Sequence, residues 1–220
     1  TNFVVNGKEV LVPMAVEEPS VVAGASFMAK LVRQSGGFTA EAEPSNLIGQ
    51  IQILDLENLD LAREALLAAA DQLLSAADQA GQMMVSVGGG ARAIEVTSFP
   101  DTPAGPMLVL YLIYDTVDAM GANSINTVLE SIAPLAEAIT GGRVHLRILS
   151  NLADRRLAKA RCSIAPDMLA FGDFAGEEVR DGVIEAWALA EVDPYRAATH
   201  NKGIMNGIDA VVIATDRKST

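Results

Sequence analysis

One cysteine, Cys162, and two histidines are all the thiol and imidazole that 220 residues carry. A lone cysteine excludes an internal disulfide and fits a reducing cytoplasm, and so few cysteines and histidines exclude a Cys/His zinc site, so no metal is expected. Basic residues are scarce too, with 16 Lys and Arg against 28 Asp and Glu for a net charge of −12. That balance repels a polyanion and argues against nucleic acid as a partner. Long apolar runs are missing: the stretch 107–113 is broken well before the ~20 residues that a membrane-spanning helix requires. Nor does the start read as a secretory signal, because Asn2, Asn6, Lys8 and Glu9 interrupt its apolar residues. Core material, by contrast, is plentiful. The chain is 50% hydrophobic, enough to bury a sizeable core and to exclude disorder.

The stretch 3–12 reads as a hairpin with Asn6-Gly7 at its turn, and 210–214 is an apolar run that stops in a short polar tail. An apolar run so near a terminus calls for a cover, so the chain is expected to be part of a longer one. Residues 17–34 predict a helix: Glu17 and Glu18 suit the positive end of its dipole, and Pro19 is tolerated in a first turn. Val22, Ala25, Met28, Ala29 and Val32 recur at helical spacing before Gly36-Gly37.

From 46 to 150 strands and helices alternate in a definite order. Strand patterns lie at 48–54, 93–99, 107–114 and 144–149. One helix runs behind Asn58 with Leu59, Ala62, Leu66, Ala69 and Leu73 on a face. A second carries Ile125, Val128, Leu129, Ile132 and Leu135, with Pro134 inside and Gly141 as its stop. The order is βαββαβ, that of a ferredoxin-like sheet. Beyond 150, a strand at 157–164, a helix at 176–192 and a glycine-rich loop entering an apolar element at 199–215 do not make a domain alone. The predicted fold is therefore α+β: a ferredoxin-like domain, 46–150, inserted into a discontinuous mixed α/β large domain made of 1–45 and 151–220.

Four stretches could carry chemistry. Gly88-Gly89-Gly90-Ala91-Arg92-Ala93 matches a dinucleotide fingerprint by letter, but a strand rather than a helix follows it, so it reads as a turn. Asp118-Ala119-Met120-Gly121-Ala122-Asn123 stands directly ahead of a helix. Its small residues let a ligand approach, and the amides behind it could meet a dinucleotide phosphate, unless Asn123 merely caps. The polar run 195–209, with Arg196, Thr199, His200, Asn201, Lys202, Asn206 and Asp209, is either a pocket wall or a solvated loop turning at Gly203 and Gly207. Glu17-Glu18-Pro19-Ser20 either serves the helix dipole or offers a partly buried glutamic acid as a proton donor beside a lysine. Cys162 reads as a small buried apolar residue and His145 as a structural one.

Several of these runs together resemble the bacterial class of 3-hydroxy-3-methylglutaryl-coenzyme A reductase. They are Val12-Pro13-Met14-Ala15-Val16-Glu17-Glu18-Pro19-Ser20-Val21-Val22-Ala23, the 118–123 run, Ile148-Leu149-Ser150-Asn151-Leu152-Ala153-Asp154, and the long run from Asp193-Pro194-Tyr195-Arg196 through His200-Asn201-Lys202-Gly203 to Asp209. The resemblance extends over nearly the whole chain to Thr215. It implies a large substrate domain with the small cofactor domain inserted, and a homodimer or higher oligomer of dimers with active sites between subunits. It also implies two hydride transfers from a nicotinamide cofactor, NAD in preference to NADP, interconverting hydroxymethylglutaryl-CoA with mevalonate and CoA in the cytoplasm, without nucleic acid or membrane.

Carried over by position, Lys202 is the catalytic lysine and Glu18 the proton donor. Ser20, Arg196 and Asn206 hold the substrate's acyl part, Asn151 lines the site, and Asp118, Ala119, Met120, Gly121, Ala122 and Asn123 bind the cofactor. Two members of the family's catalytic set are not matched: its Gly-Asn-Asp after Ala214-Thr215, where Asp216 stands out of register, and a later histidine that His200 does not replace. The 220-residue chain alone is thus expected to have little turnover. The competing expectation is a non-catalytic ferredoxin-like module that binds a small molecule.

Overall fold

A computed structural model of the chain describes residues 1–15 and 18–215, so Glu17 and Asp216 of the sequence reading lie outside the described residues. Its elements are β1 (Asn2–Val5), β2 (Lys8–Leu11), α1 (Pro19–Gln34), β3 (Thr39–Ala42), β4 (Asn46–Leu54), α2 (Leu59–Ala68), α3 (Ala70–Ala80) and α4 (Gln82–Ser86). They continue with β5 (Gly90–Phe99), β6 (Met107–Asp115), α5 (Ala122–Thr140), β7 (Arg143–Leu149), β8 (Ala158–Arg161), a 3₁₀ turn (Pro166–Leu169), α6 (Gly176–Val192) and α7 (Pro194–Ala214). Two compact units result, one of Thr1–Glu41 with the chain from Lys159 onward, the other of Ala42–Ala158. The second begins and ends a few residues outside the expected 46–150. The Glu43 amide donates to the Leu157 carbonyl at 2.8 Å, tying these flanks together.

In the first unit β1 and β2 pair antiparallel about Asn6 and Gly7, whose φ of 51° and 75° fit the expected two-residue turn. Val5 bridges Phe38, and the Phe3 and Phe38 rings lie 6.1 Å apart. Strands β3 and β8 form a second small sheet; β3, reading Thr-Ala-Glu-Ala, is four residues long with a single β-branched residue and no aromatic, too weak a signal to predict it. Helix α1 buries Ala29 and Val32, and α7 buries Ala210. The Ala15 amide donates to the Ala210 carbonyl at 2.8 Å, which holds the segment ahead of α1 against the middle of α7.

Two expectations are corrected here. The run 199–215 is not a glycine-rich loop: α7 is continuous through Gly203 and Gly207. Its start is strong, with Pro194 in the first turn and the Asp193 carboxylate accepting the Arg196 amide at 2.7 Å. Two interior glycines cost only about 1 kcal/mol each against alanine, too little to break a helix so begun. Cys162 is exposed just past the end of β8 rather than buried in a strand.

The second unit is a four-stranded antiparallel sheet in the order β5-β6-β4-β7. Alternate residues of β4 (Leu47, Gly49, Ile51, Ile53) and of β6 (Leu108, Leu110, Leu112) are buried, as strand periodicity requires. They meet Ala62 and Leu66 of α2, Leu73 and Ala77 of α3, and Ile125, Val128, Leu129 and Ile132 of α5 in one core. At Gly49 the α5 helix comes so close that a Cβ would lie 2.8 Å from a Leu129 methyl. The helix expected behind Asn58 is two, because the backbone breaks at Ala69 (φ −94°, ψ 12°). Asn58 caps the first by accepting the Leu61 amide at 3.0 Å.

Candidate active site

Helix α7 sets out Lys202, Asn206, Asp209 and Ile213 at spacings of four, three and four, which puts them along one face. With Ala15 and Glu18 they line a cleft of about 240 Å³ in the first unit. Glu18 is the residue before the first turn of α1, where Pro19 begins the helix. It is exposed rather than partly buried, and its Oε1 accepts the Ser20 hydroxyl at 2.5 Å. Two carboxylates, an ammonium and a carboxamide thus share a cavity with an apolar flank, an arrangement able to hold a polar ligand and offset charge that develops on it.

The remaining assigned residues are placed apart from that cleft lining. Ser20 sits one residue into α1 with its hydroxyl on Glu18, and Arg196 is exposed in the first turn of α7. Asn151 belongs to the second unit, exposed in the connection after β7. Asp209 was part of the polar run but received no role from the sequence. One of its carboxylate oxygens is buried without a hydrogen-bond partner, in the same cleft as Lys202. The 202, 206, 209 spacing would have pointed to it had 195–209 been read as a helix.

The run 118–123 forms the connection from β6 into α5. Gly121 precedes the helix at φ +84°, and a Cβ there would fall 2.3 Å from the Thr116 Cγ2, so the turn requires glycine twice over. Asn123 lies inside the helix and does not cap it; Gly121 holds that position and offers no side chain. The first amides of α5 therefore stay available to an anion. Beside them a cavity of about 260 Å³ is lined by Gly81, Met83, Tyr114, Asn123, Ser124 and Thr127. These features suit a nucleotide cofactor. The glycine turn at 88–90 ends at the start of β5, in keeping with its reading as a turn rather than a dinucleotide fingerprint.

Asp115, at the end of β6, braces this connection. Its carboxylate accepts the Val117 amide at 2.9 Å and pairs with Arg92 at 2.9 Å. The Val117 amide, then Arg92 and the charge of Arg156, hold its carboxyl below the usual carboxylate range. A depressed carboxyl contributes stability that is complete above its unfolded-state pKa and is lost as pH falls through the folded one. Urea titrations should therefore give an unfolding free energy that declines below about pH 4, and Asp115→Asn should flatten that decline. An unchanged pH profile in the variant would remove Asp115 from the account.

Among the described residues, no group of three or more His, Cys, Asp and Glu could hold a metal ion, and no helix is long and apolar enough to cross a membrane.

Comparison with known proteins places these features in context. The family model described as hydroxymethylglutaryl-coenzyme A reductase matches residues 1–217. The chain is 50% identical over 215 residues to 3-hydroxy-3-methylglutaryl-coenzyme A reductase of Archaeoglobus fulgidus, covering 98% of this chain and 48% of that protein. It is 30% identical over 224 residues to the probable reductase of the same name from Borreliella burgdorferi, covering 97% and 48%. The chain spans about half the length of the curated relatives it matches. Among solved structures, the reductase of Streptococcus pneumoniae aligns with a TM-score of 0.91 at 42% identity, over 98% of this chain and 58% of that one. The class II enzyme of the same organism bound to NADPH in open conformations aligns with a TM-score of 0.89 at 43% identity, over 97% and 57%.

Proposed function

This chain belongs to the hydroxymethylglutaryl-coenzyme A reductase family, and from that premise we propose that the whole protein interconverts hydroxymethylglutaryl-CoA with mevalonate and CoA. The reading takes the second unit as a ferredoxin-like cofactor domain inserted into the substrate domain, in a cytoplasmic homodimer. The observation that carries it is the cleft in which Glu18 comes together with Lys202 and Asn206, which lie far from it in sequence and one turn apart on α7.

A bound nicotinamide cofactor would supply hydride twice, first to the thioester carbonyl, from which CoA then leaves, and again to the aldehyde carbonyl so formed. Negative charge then builds on the carbonyl oxygen, and the Lys202 ammonium offsets it, the more strongly the drier the site. Glu18, in the same cleft, hands over the proton that the oxygen takes up. The Asn206 carboxamide hydrogen-bonds the acyl chain, and Arg196 pairs with its terminal carboxylate by the fork that guanidinium offers. Ser20, released from Glu18, supplies a further hydroxyl, and Asn151, on the second unit, is assigned to the substrate by resemblance. On the second unit, residues 118–123 and the first amides of α5 hold the cofactor's phosphates. NAD remains the sequence-based preference, while the Streptococcus pneumoniae relative is described with NADPH.

The test is to supply hydroxymethylglutaryl-CoA to the full-length protein and follow oxidation of NADH and of NADPH, with mevalonate identified as the product. Turnover with one or both cofactors is expected. Absence of mevalonate with either would sink the reading.

A further inference from the structure

The connection from β6 to α5 is costly in its own backbone. Val117 is held at φ +51°, a left-handed conformation that β-branched residues avoid, and Gly121 follows at φ +84°. Such a conformation persists only where its surroundings over-determine it. Local restraints supply part of the hold. Thr116 is fully buried; its amide donates to the Ser45 carbonyl at 3.1 Å and its hydroxyl to the Ala119 carbonyl at 3.1 Å, while the Ala119 amide donates back to the Thr116 carbonyl at 2.9 Å.

A further restraint comes from far along the chain. Arg156, just ahead of β8, donates from Nη2 to the Ala119 carbonyl at 3.0 Å and from Nη1 to the Met120 carbonyl at 3.4 Å. Asp115 faces the same guanidinium closely enough for its carboxyl to feel that charge. Drawing these two carbonyls toward Arg156 has a geometric consequence. In a trans peptide the N–H points opposite to the C=O of the same unit. The N–H groups of Met120 and Gly121 are therefore turned away from Arg156, in continuity with the unpaired first amides of α5.

We propose that Arg156 is a positioning residue for cofactor binding, its guanidinium fixing the Ala119 and Met120 peptides so that the amides of 120–124 form one donor row for phosphate. This rests on the reading above that 118–123 takes a nicotinamide dinucleotide. A planar fork spans two adjacent carbonyls, whereas an ammonium satisfies one at a time, so lysine replaces arginine here in part.

The test compares Arg156→Gln and Arg156→Lys with the wild-type full-length protein, by steady-state kinetics and by fluorescence titration with NADH and with NADPH. Arg156→Gln should raise the cofactor KM and Kd about tenfold, equivalent to about 1.4 kcal/mol. The KM for hydroxymethylglutaryl-CoA should stay within about twofold, and Arg156→Lys, which keeps the charge and guards against misfolding, should raise the cofactor constants about threefold. Wild-type cofactor affinity in both variants would overturn the proposal. So would a loss that falls equally on kcat and on both substrates, in proportion to the folded fraction, since that is structural damage. If the wild-type protein binds neither cofactor, the underlying reading fails and the positioning role falls with it, a result distinct from the other two.

Discussion

Lys202→Ala in the full-length protein is expected to lower kcat by about 10²–10³, the usual loss when a single group stabilising an oxyanion is removed. The effect should fall on kcat far more than on affinity, because the ammonium matters most once negative charge has formed on the reacting oxygen. Lys202 sits in the third turn of α7 with Asn206 one turn on, so truncating its side chain leaves the helix and the rest of the cleft lining in place. Binding of hydroxymethylglutaryl-CoA, followed by calorimetry, should change by less than about fivefold if Lys202 acts mainly on that charge. A variant with wild-type kcat would end the oxyanion assignment. A protein that binds acyl-CoA but shows no turnover even as wild type would instead support the non-catalytic module.

Glu18→Gln is expected to cost about 10²–10³ in kcat, within the range for a positioned general acid. Glutamine keeps a carbonyl oxygen able to accept the Ser20 hydroxyl, so the 2.5 Å contact that orients this side chain has a successor and the loss isolates the transferable proton. Single-turnover measurement of hydride transfer, at saturating cofactor, is the decisive readout. Should the variant transfer hydride at the wild-type rate, proton donation belongs to another group. Asp209, whose carboxylate has a buried oxygen without a partner in the same cleft, would be the first to examine.

How far the sequence announced this architecture differs between the two units. In Ala42–Ala158 each strand of the sheet alternates or runs apolar, and each main helix buries a face at helical spacing, so local pattern and tertiary role coincide. The break at Ala69 escaped because Leu66 and Leu73 keep their spacing across it. In the first unit pattern and role part company. Gly203 and Gly207 signal a loop by propensity, yet the chain stays helical, and β3 has four residues with little strand character. That Glu18 and Lys202 line one cleft goes with the contact of Ala15 with Ala210, a long-range hydrogen bond that no local spacing encodes. The roles of these residues came from resemblance. Their meeting came from the fold. Arg156 was invisible for a related reason: in sequence it is one charge in Asp154-Arg155-Arg156, and its partners are main-chain oxygens, which have no letter.

The continuity of α7 has a consequence for what the cleft can accept. A helix advances about 1.5 Å and turns about 100° per residue, so the α-carbons of Lys202, Asn206 and Asp209 are graduated at about 0, 6 and 10.5 Å along a single axis. Those intervals act as a ruler. A loop carrying the same three side chains could stretch to suit acyl groups of different length, or tolerate one added residue. On α7 an insertion between 203 and 206 would swing every later mark by more than a quarter turn, so the number of residues in this stretch carries as much information as their identity.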